Sequence, residues 1–75
     1  MENRIKEVLA NVLGIKASEV NESTSPDTVK QWDSLKQISL ILALEEEFGV
    51  TFEDDQIAGM RSYTAIKNVV LNSAD

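Results

Sequence analysis

Asp33-Ser34-Leu35-Lys36-Gln37-Ile38-Ser39-Leu40-Ile41-Leu42-Ala43-Leu44-Glu45-Glu46-Glu47-Phe48-Gly49 is the stretch that decides the fold. It opens with a carboxylate and a hydroxyl side by side, continues through an apolar segment and stops at a glycine. Leu40, Leu44 and Phe48 lie on an i+4 row with Ile41 beside them, which predicts the core face of a helix from Ser34 to Phe48. Leu35, Ile38 and Leu42 form a second row around the cylinder. A helix apolar over so much of its girth is either central in its fold or offers the second row to something else.

Upstream, Ile5, Val8, Leu9, Val12 and Leu13 recur at i, i+3, i+4, i+7 and i+8, one apolar stripe on a first helix from Glu2 to Leu13. Gly14 follows, where a left-handed cap is least costly for glycine. Residues 14–33 then form a connection rich in Ser, Thr, Asn and Asp, with the only proline, Pro26. Loops longer than about 12–15 residues are uncommon in compact domains and are often functional. Ile15, Val20, Val29 and Trp32 are spaced along it as apolar pins, and Lys16 to Glu19 suit a single helical turn.

Downstream, Val50 and Phe52 flank Thr51 in a short extended link. Glu53-Asp54-Asp55 places carboxylates in the first turn of a short third helix, Asp54 to about Ala58, where the helix dipole favours them. Gly59 is expected to end it. Ser62 suits the N-cap of a fourth helix carrying Tyr63, Ile66, Val69 and Val70 on its inner stripe. The expected fold is therefore all-α: a small four-helix bundle, three helices longer and one short, with a long loop between the first and second. Residues 1–75 are read as a single domain.

Composition narrows the chemistry. A chain of 75 residues buries only about 60% of its unfolded surface, and this one has no cysteine for a disulfide. With no histidine either, the commonest zinc ligands are missing, and no metal is expected. Glu53-Asp54-Asp55 lacks the alternating ligands and central glycine of a calcium loop. Thirteen acidic against seven basic residues give a net charge of −6, which argues against nucleic acid and for partners with basic surfaces. The start, Met1-Glu2-Asn3-Arg4, lacks the form of a signal peptide, and the apolar run Leu40 to Leu44 is far too short to span a membrane. A cytoplasmic monomer is expected. No nucleophile is paired with a base, so the chain is not expected to be an enzyme.

Ser34 remains. Ser34-x-x-Gln37 matches a capping box, and either Asp33 or Ser34 would cap the helix well. Capping needs only one of the two, yet both stand here after a long pinned loop.

Asp33-Ser34-Leu35, the Leu-Ala-Leu-Glu-Glu-Glu-Phe-Gly run of residues 42–49 and the Leu13-Gly14-Ile15-Lys16 link resemble the acyl carrier protein family over the whole chain. The resemblance implies a carrier whose serine, Ser34 with Asp33 beside it, receives 4′-phosphopantetheine from coenzyme A through a phosphopantetheinyl transferase. Acyl groups would then ride as thioesters among acyl-loading, acyl-modifying and acyl-transfer enzymes. It also implies a partner surface, placed here at Leu35, Lys36, Ile38, Leu42, Glu45 and Glu46. Lys30-Gln31-Trp32 before the serine, and Lys36, Gln37 and Ser39 after it, depart from the fatty-acid-synthesis type. The Trp-Asp-Ser-Leu form resembles carriers of specialised lipid, polyketide or surface-polymer pathways. An aminoacyl or peptidyl carrier, or a helical interaction module without the prosthetic group, are the alternatives.

Overall fold

Four helices form where the apolar spacing places them: α1 (Glu2–Leu13), α2 (Ser34–Phe48), α3 (Asp54–Gly59) and α4 (Tyr63–Ser73), with a 3-10 turn at Ala17–Glu19 in the long connection. The computed structural model describes residues 2–73, among which there is no strand. The fold is an all-α four-helix bundle. Gly14 and Gly49 end α1 and α2 with φ of 73° and 64°, the left-handed region that strains any residue with a Cβ. The Gly14 and Ile15 N–H groups both donate to the Ala10 carbonyl, at 2.9 and 3.0 Å.

The stop expected at Gly59 is different. Gly59 is the last residue of α3 and has no positive φ, so its freedom is not used. Met60 caps the helix instead, its N–H donating to the Ile57 carbonyl at 3.1 Å in a tightened i→i−3 turn.

Helix α1 packs against α2, α4 and the 3-10 turn. The core takes Ile5, Val8, Leu9 and Leu13 from α1, Leu40, Ile41 and Leu44 from α2, and Tyr63, Ile66 and Val70 from α4. Val20, Trp32, Phe52 and Met60 enter it from the connections, while Phe48 and Val69 are only partly buried. The long loop is accordingly held. Val20 and Trp32 are buried, with Ile15 and Val29 packed at the margin. Buried Thr24, which the apolar pattern does not mark, accepts the Asn21 N–H at its hydroxyl (2.9 Å). Its carbonyl accepts the Tyr63 N–H at 3.0 Å, tying the loop to the start of α4. Arg4 pairs with Glu7 and Glu47, each at 3.0 Å, but all three are exposed and such pairs contribute no more than about 1 kcal/mol.

Tyr63 closes the bundle across the greatest sequence distance. Its hydroxyl donates to Glu2 Oε1 at 3.2 Å, and the Lys6 and Lys67 ammonium groups lie 5.7 and 5.5 Å from its ring centre. Burial, and then the Glu2 carboxylate, hold its phenol above the ordinary value near 10. A group whose pKa is raised on folding contributes stability that is complete below its unfolded value and is lost as pH climbs through the folded one. Denaturant titrations between about pH 8 and 12 should therefore show wild type losing stability above about pH 10 more steeply than Tyr63→Phe. Parallel curves for the two proteins would show that Tyr63 ionisation is not linked to folding.

Candidate functional site

Trp32-Asp33-Ser34 is where the pinned loop turns into α2. Asp33 is extended (φ −104°, ψ −171°) and is the N-cap, its Oδ1 accepting the Lys36 N–H at 2.9 Å. Its carbonyl accepts the Gln37 N–H at 2.9 Å, the first bond of the helix. Ser34 is the first helical residue and is exposed. The cap belongs to Asp33, so the Ser34 hydroxyl is left to face water.

The capping-box reading of Ser34 with Gln37 is thereby corrected. Gln37 turns inward and is only 9% exposed. Its Oε1 accepts the Trp32 indole N–H at 2.6 Å, and its Nε2 donates to the Met60 carbonyl at 2.8 Å. The reason is register: Leu40, Ile41 and Leu44 stand at i+3, i+4 and i+7 from Gln37, so all four share the inner face. Sequence reading missed this role because a glutamine was read only as a polar residue near a helix start. Its place at the head of the core row, five residues after a tryptophan, was the available signal. Among the described residues no buried side-chain nitrogen or oxygen lacks a partner.

The other face of α2 stays in water. Leu35, Ile38 and Leu42 are 75%, 59% and 60% exposed, far above what a monomer's core would leave. Lys36 is exposed and stands about a quarter turn from Leu35, off that row. Glu46 is exposed and continues the row at i+4 from Leu42. Glu45 is differently placed from a free surface acid: it is half-buried, and its Oε2 accepts the Phe52 N–H at 2.8 Å. Gln37, Ile38, Ile41, Leu42, Glu45 and Ile57 line a mostly apolar pocket of about 240 Å³ beside this face. Around the serine Lys30, Asp33 and Lys36 are exposed, and Glu46 and Glu47 are exposed toward the far end of the helix.

Glu53-Asp54-Asp55 serves local structure. Glu53 is the N-cap of α3 and its N–H donates to Gln56 Oε1 at 2.9 Å, while Asp54 and Asp55 occupy the first turn. Among the described residues no group of three or more metal-ligating side chains is assembled. None of the helices there is long and apolar enough to cross a membrane.

A family model described as a phosphopantetheine attachment site matches residues 3–70. The chain belongs to the acyl carrier protein family. It is 40% identical over 55 residues to an acyl carrier protein of Nitratidesulfovibrio vulgaris, covering 73% of this chain and 72% of that one. It is also 33% identical over 69 residues to an acyl carrier protein of Saccharopolyspora erythraea, covering 92% and 73% respectively. The fold matches the solution structure of holo acyl carrier protein from Geobacter metallireducens with a TM-score of 0.83 at 18% identity, over 95% of this chain and 82% of that one. The prosthetic group of the acyl carrier protein family is 4′-phosphopantetheine, and this chain fits it: an exposed hydroxyl stands at a helix start, uncommitted to the cap.

The division of labour at the helix start is testable by stability alone. Asp33→Ala should cost about 0.5–2 kcal/mol, the usual loss for an N-cap. Ser34→Ala should cost much less, because alanine is a better helix former and no cap is removed. Urea unfolding of both variants checks this, and a larger loss at Ser34 would reassign the cap.

Proposed function

We propose that Ser34 carries the 4′-phosphopantetheine and that the chain shuttles acyl groups, without catalysing their chemistry, between enzymes that load, modify and transfer them. The observation that carries this reading is the exposed Ser34 hydroxyl at the first residue of α2, spared from capping by Asp33 and followed by an exposed apolar row. In modification the Ser34 hydroxyl loses its proton and forms the Oγ–P bond as the pyrophosphate of coenzyme A breaks and an adenosine bisphosphate leaves. The resulting phosphodiester lies beside a helix N-terminus, which favours an anion. The prosthetic group supplies a thiol, which this cysteine-free chain does not contain. A tethered cargo is presented to each partner at high effective concentration.

Leu35, Ile38 and Leu42 form the apolar centre of the partner surface in this reading, with Glu46 at its distal end, Glu45 at its α3 edge and Lys36 beside its start. Lys36 is the specificity feature. It would repel a partner built around a purely basic patch, which supports service in a specialised lipid, polyketide or surface-polymer pathway rather than general fatty-acid synthesis.

Incubation with coenzyme A, Mg²⁺ and a broad-specificity transferase should convert wild type to a single modified mass and leave Ser34→Ala unchanged. Failure of wild type with several transferases would favour an interaction module without the group. Leu42→Ala should slow modification yet cost less stability than Leu44→Ala, for which a buried position predicts about 2–5 kcal/mol. Unfolding of Leu42→Ala with an intact Leu44→Ala would reverse the two faces.

Lys36 is tested separately, with the enzymes of general fatty-acid synthesis. Lys36→Asp should be the better substrate for them, and the gain should shrink as salt rises, since screening at about 0.15 M limits exposed charges to about 8 Å. Equal and high activity of wild type and variant would return the chain to that general pathway.

A further inference from the structure

Two side chains beside the serine are buried in the core and bonded to each other. Trp32 lies two residues before Ser34 and is almost wholly buried. Gln37 lies one turn after it. The indole N–H donates to Gln37 Oε1 at 2.6 Å, and Gln37 Nε2 donates to the Met60 carbonyl at 2.8 Å, just beyond the end of α3. One carboxamide thus joins the end of the long loop, the first turn of α2 and the link between α3 and α4.

The amide is the right group for this place. It offers an acceptor to the indole and a donor to the carbonyl at once, which neither an ionised carboxylate nor a hydrocarbon of similar length can do. Without it, the first turn of α2 would depend on the exposed Asp33 cap, and helix ends held only by caps fray. Ser34 sits between the two clamped residues. Its hydroxyl therefore projects from a segment fixed on both sides and tied to the α3–α4 link.

We infer that Gln37 and Trp32 are positioning residues for the modification of Ser34, an inference that rests on Ser34 being the attachment residue. Transfer to the hydroxyl requires Oγ in line with a phosphate held by another protein, and a misplacement of about 1 Å can cost on the order of 100-fold in rate. Groups that lock the reacting residue from behind set such rates without touching the reacting atoms. The exposed row that would dock the transferase, Leu35, Ile38 and Leu42, makes neither of the two clamp bonds, although Gln37 also lines the pocket beside that row.

The test measures kcat and KM for the whole chain as substrate of a broad-specificity transferase with coenzyme A. Gln37→Met keeps the bulk and removes both bonds, whereas Trp32→Phe removes the indole donor and some buried volume but leaves the Gln37–Met60 bond in place. Gln37→Met should lower kcat about tenfold or more while KM changes less than about twofold. Trp32→Phe should fall in the same direction, and the double variant should be no slower than Gln37→Met alone. Rates are taken per folded molecule, measured by circular dichroism. A fall in thermal stability with kcat per folded molecule unchanged would reduce the clamp to a structural role and overturn the inference. Where Gln37→Met does not fold, Trp32→Phe decides by the same criterion. Wild type modified at Ser34 with unaltered variants overturns the clamp alone; wild type unmodified overturns the attachment assignment and the clamp together.

Discussion

Burial of one side of α2 against α1, with α4 and the connections closing over it, has to hold the fold, because a chain of 75 residues without cysteine has no disulfide to fall back on. Leu40, Ile41 and Leu44 meet the stripe of Ile5, Leu9 and Leu13 in one continuous core. Everything else is arranged to complete it. The twenty-residue connection that a thin core could ill tolerate as loose chain is pinned by Val20 and Trp32. Its polar groups are paired by local bonds such as those of Thr24 and Thr28. The single buried glutamine is accepted in that core only because both ends of its amide are paired, since a half-satisfied amide there would cost more than an apolar residue.

The same helix keeps three large apolar side chains in water. Leu35, Ile38 and Leu42 gain nothing for the isolated fold, and contiguous exposed apolar surface is a liability unless a partner covers it. Under the proposed function that liability has a use, because the row would be covered by one partner after another. Charge is uneven along α2 itself: Lys36 stands in its first turn and Glu46 and Glu47 near its end, with Asp33 capping its start. Glu45 shows the limit of reading charge from sequence as surface field. It lies among three acidic residues, yet it spends its carboxylate on the Phe52 N–H and Glu47 spends its own on Arg4, which leaves Glu46 as the free member among the described contacts.

The helices α1 and α2 were legible, because apolar periodicity marks their course and a glycine at positive φ marks the end of each. The short α3 was legible at its start, where charge and dipole agree, and not at its end, where a glycine with ordinary backbone angles looks the same in sequence as a capping one. The exposure of Ser34 and of the second apolar row followed from the pattern of α2. Assignment of the cap between Asp33 and Ser34 did not, since both residues satisfy the same local preference and only the backbone angles at Asp33 decide. Gln37 and Thr24 were illegible for a shared reason. The groups that satisfy them, Met60 and Tyr63, are distant in sequence and no local pattern records such pairings; only the register of Gln37 with Leu40, Ile41 and Leu44 pointed to its burial.

Helix α3 contributes no fully buried side chain of its own; it is suspended between Phe52 on one side and Met60 on the other, both deep in the core. Segments with few buried apolar contacts open at a small fraction of the global unfolding free energy. The six residues of α3 can therefore exchange their amide hydrogens through local opening while both suspension points stay fixed. Ile57 forms one wall of the pocket beside α2, whereas the Met60 carbonyl that accepts from Gln37 belongs to a residue wholly buried in the core. The fold thus sets a wall that has no buried side chain of its own next to a residue tied into the core, within the same small bundle.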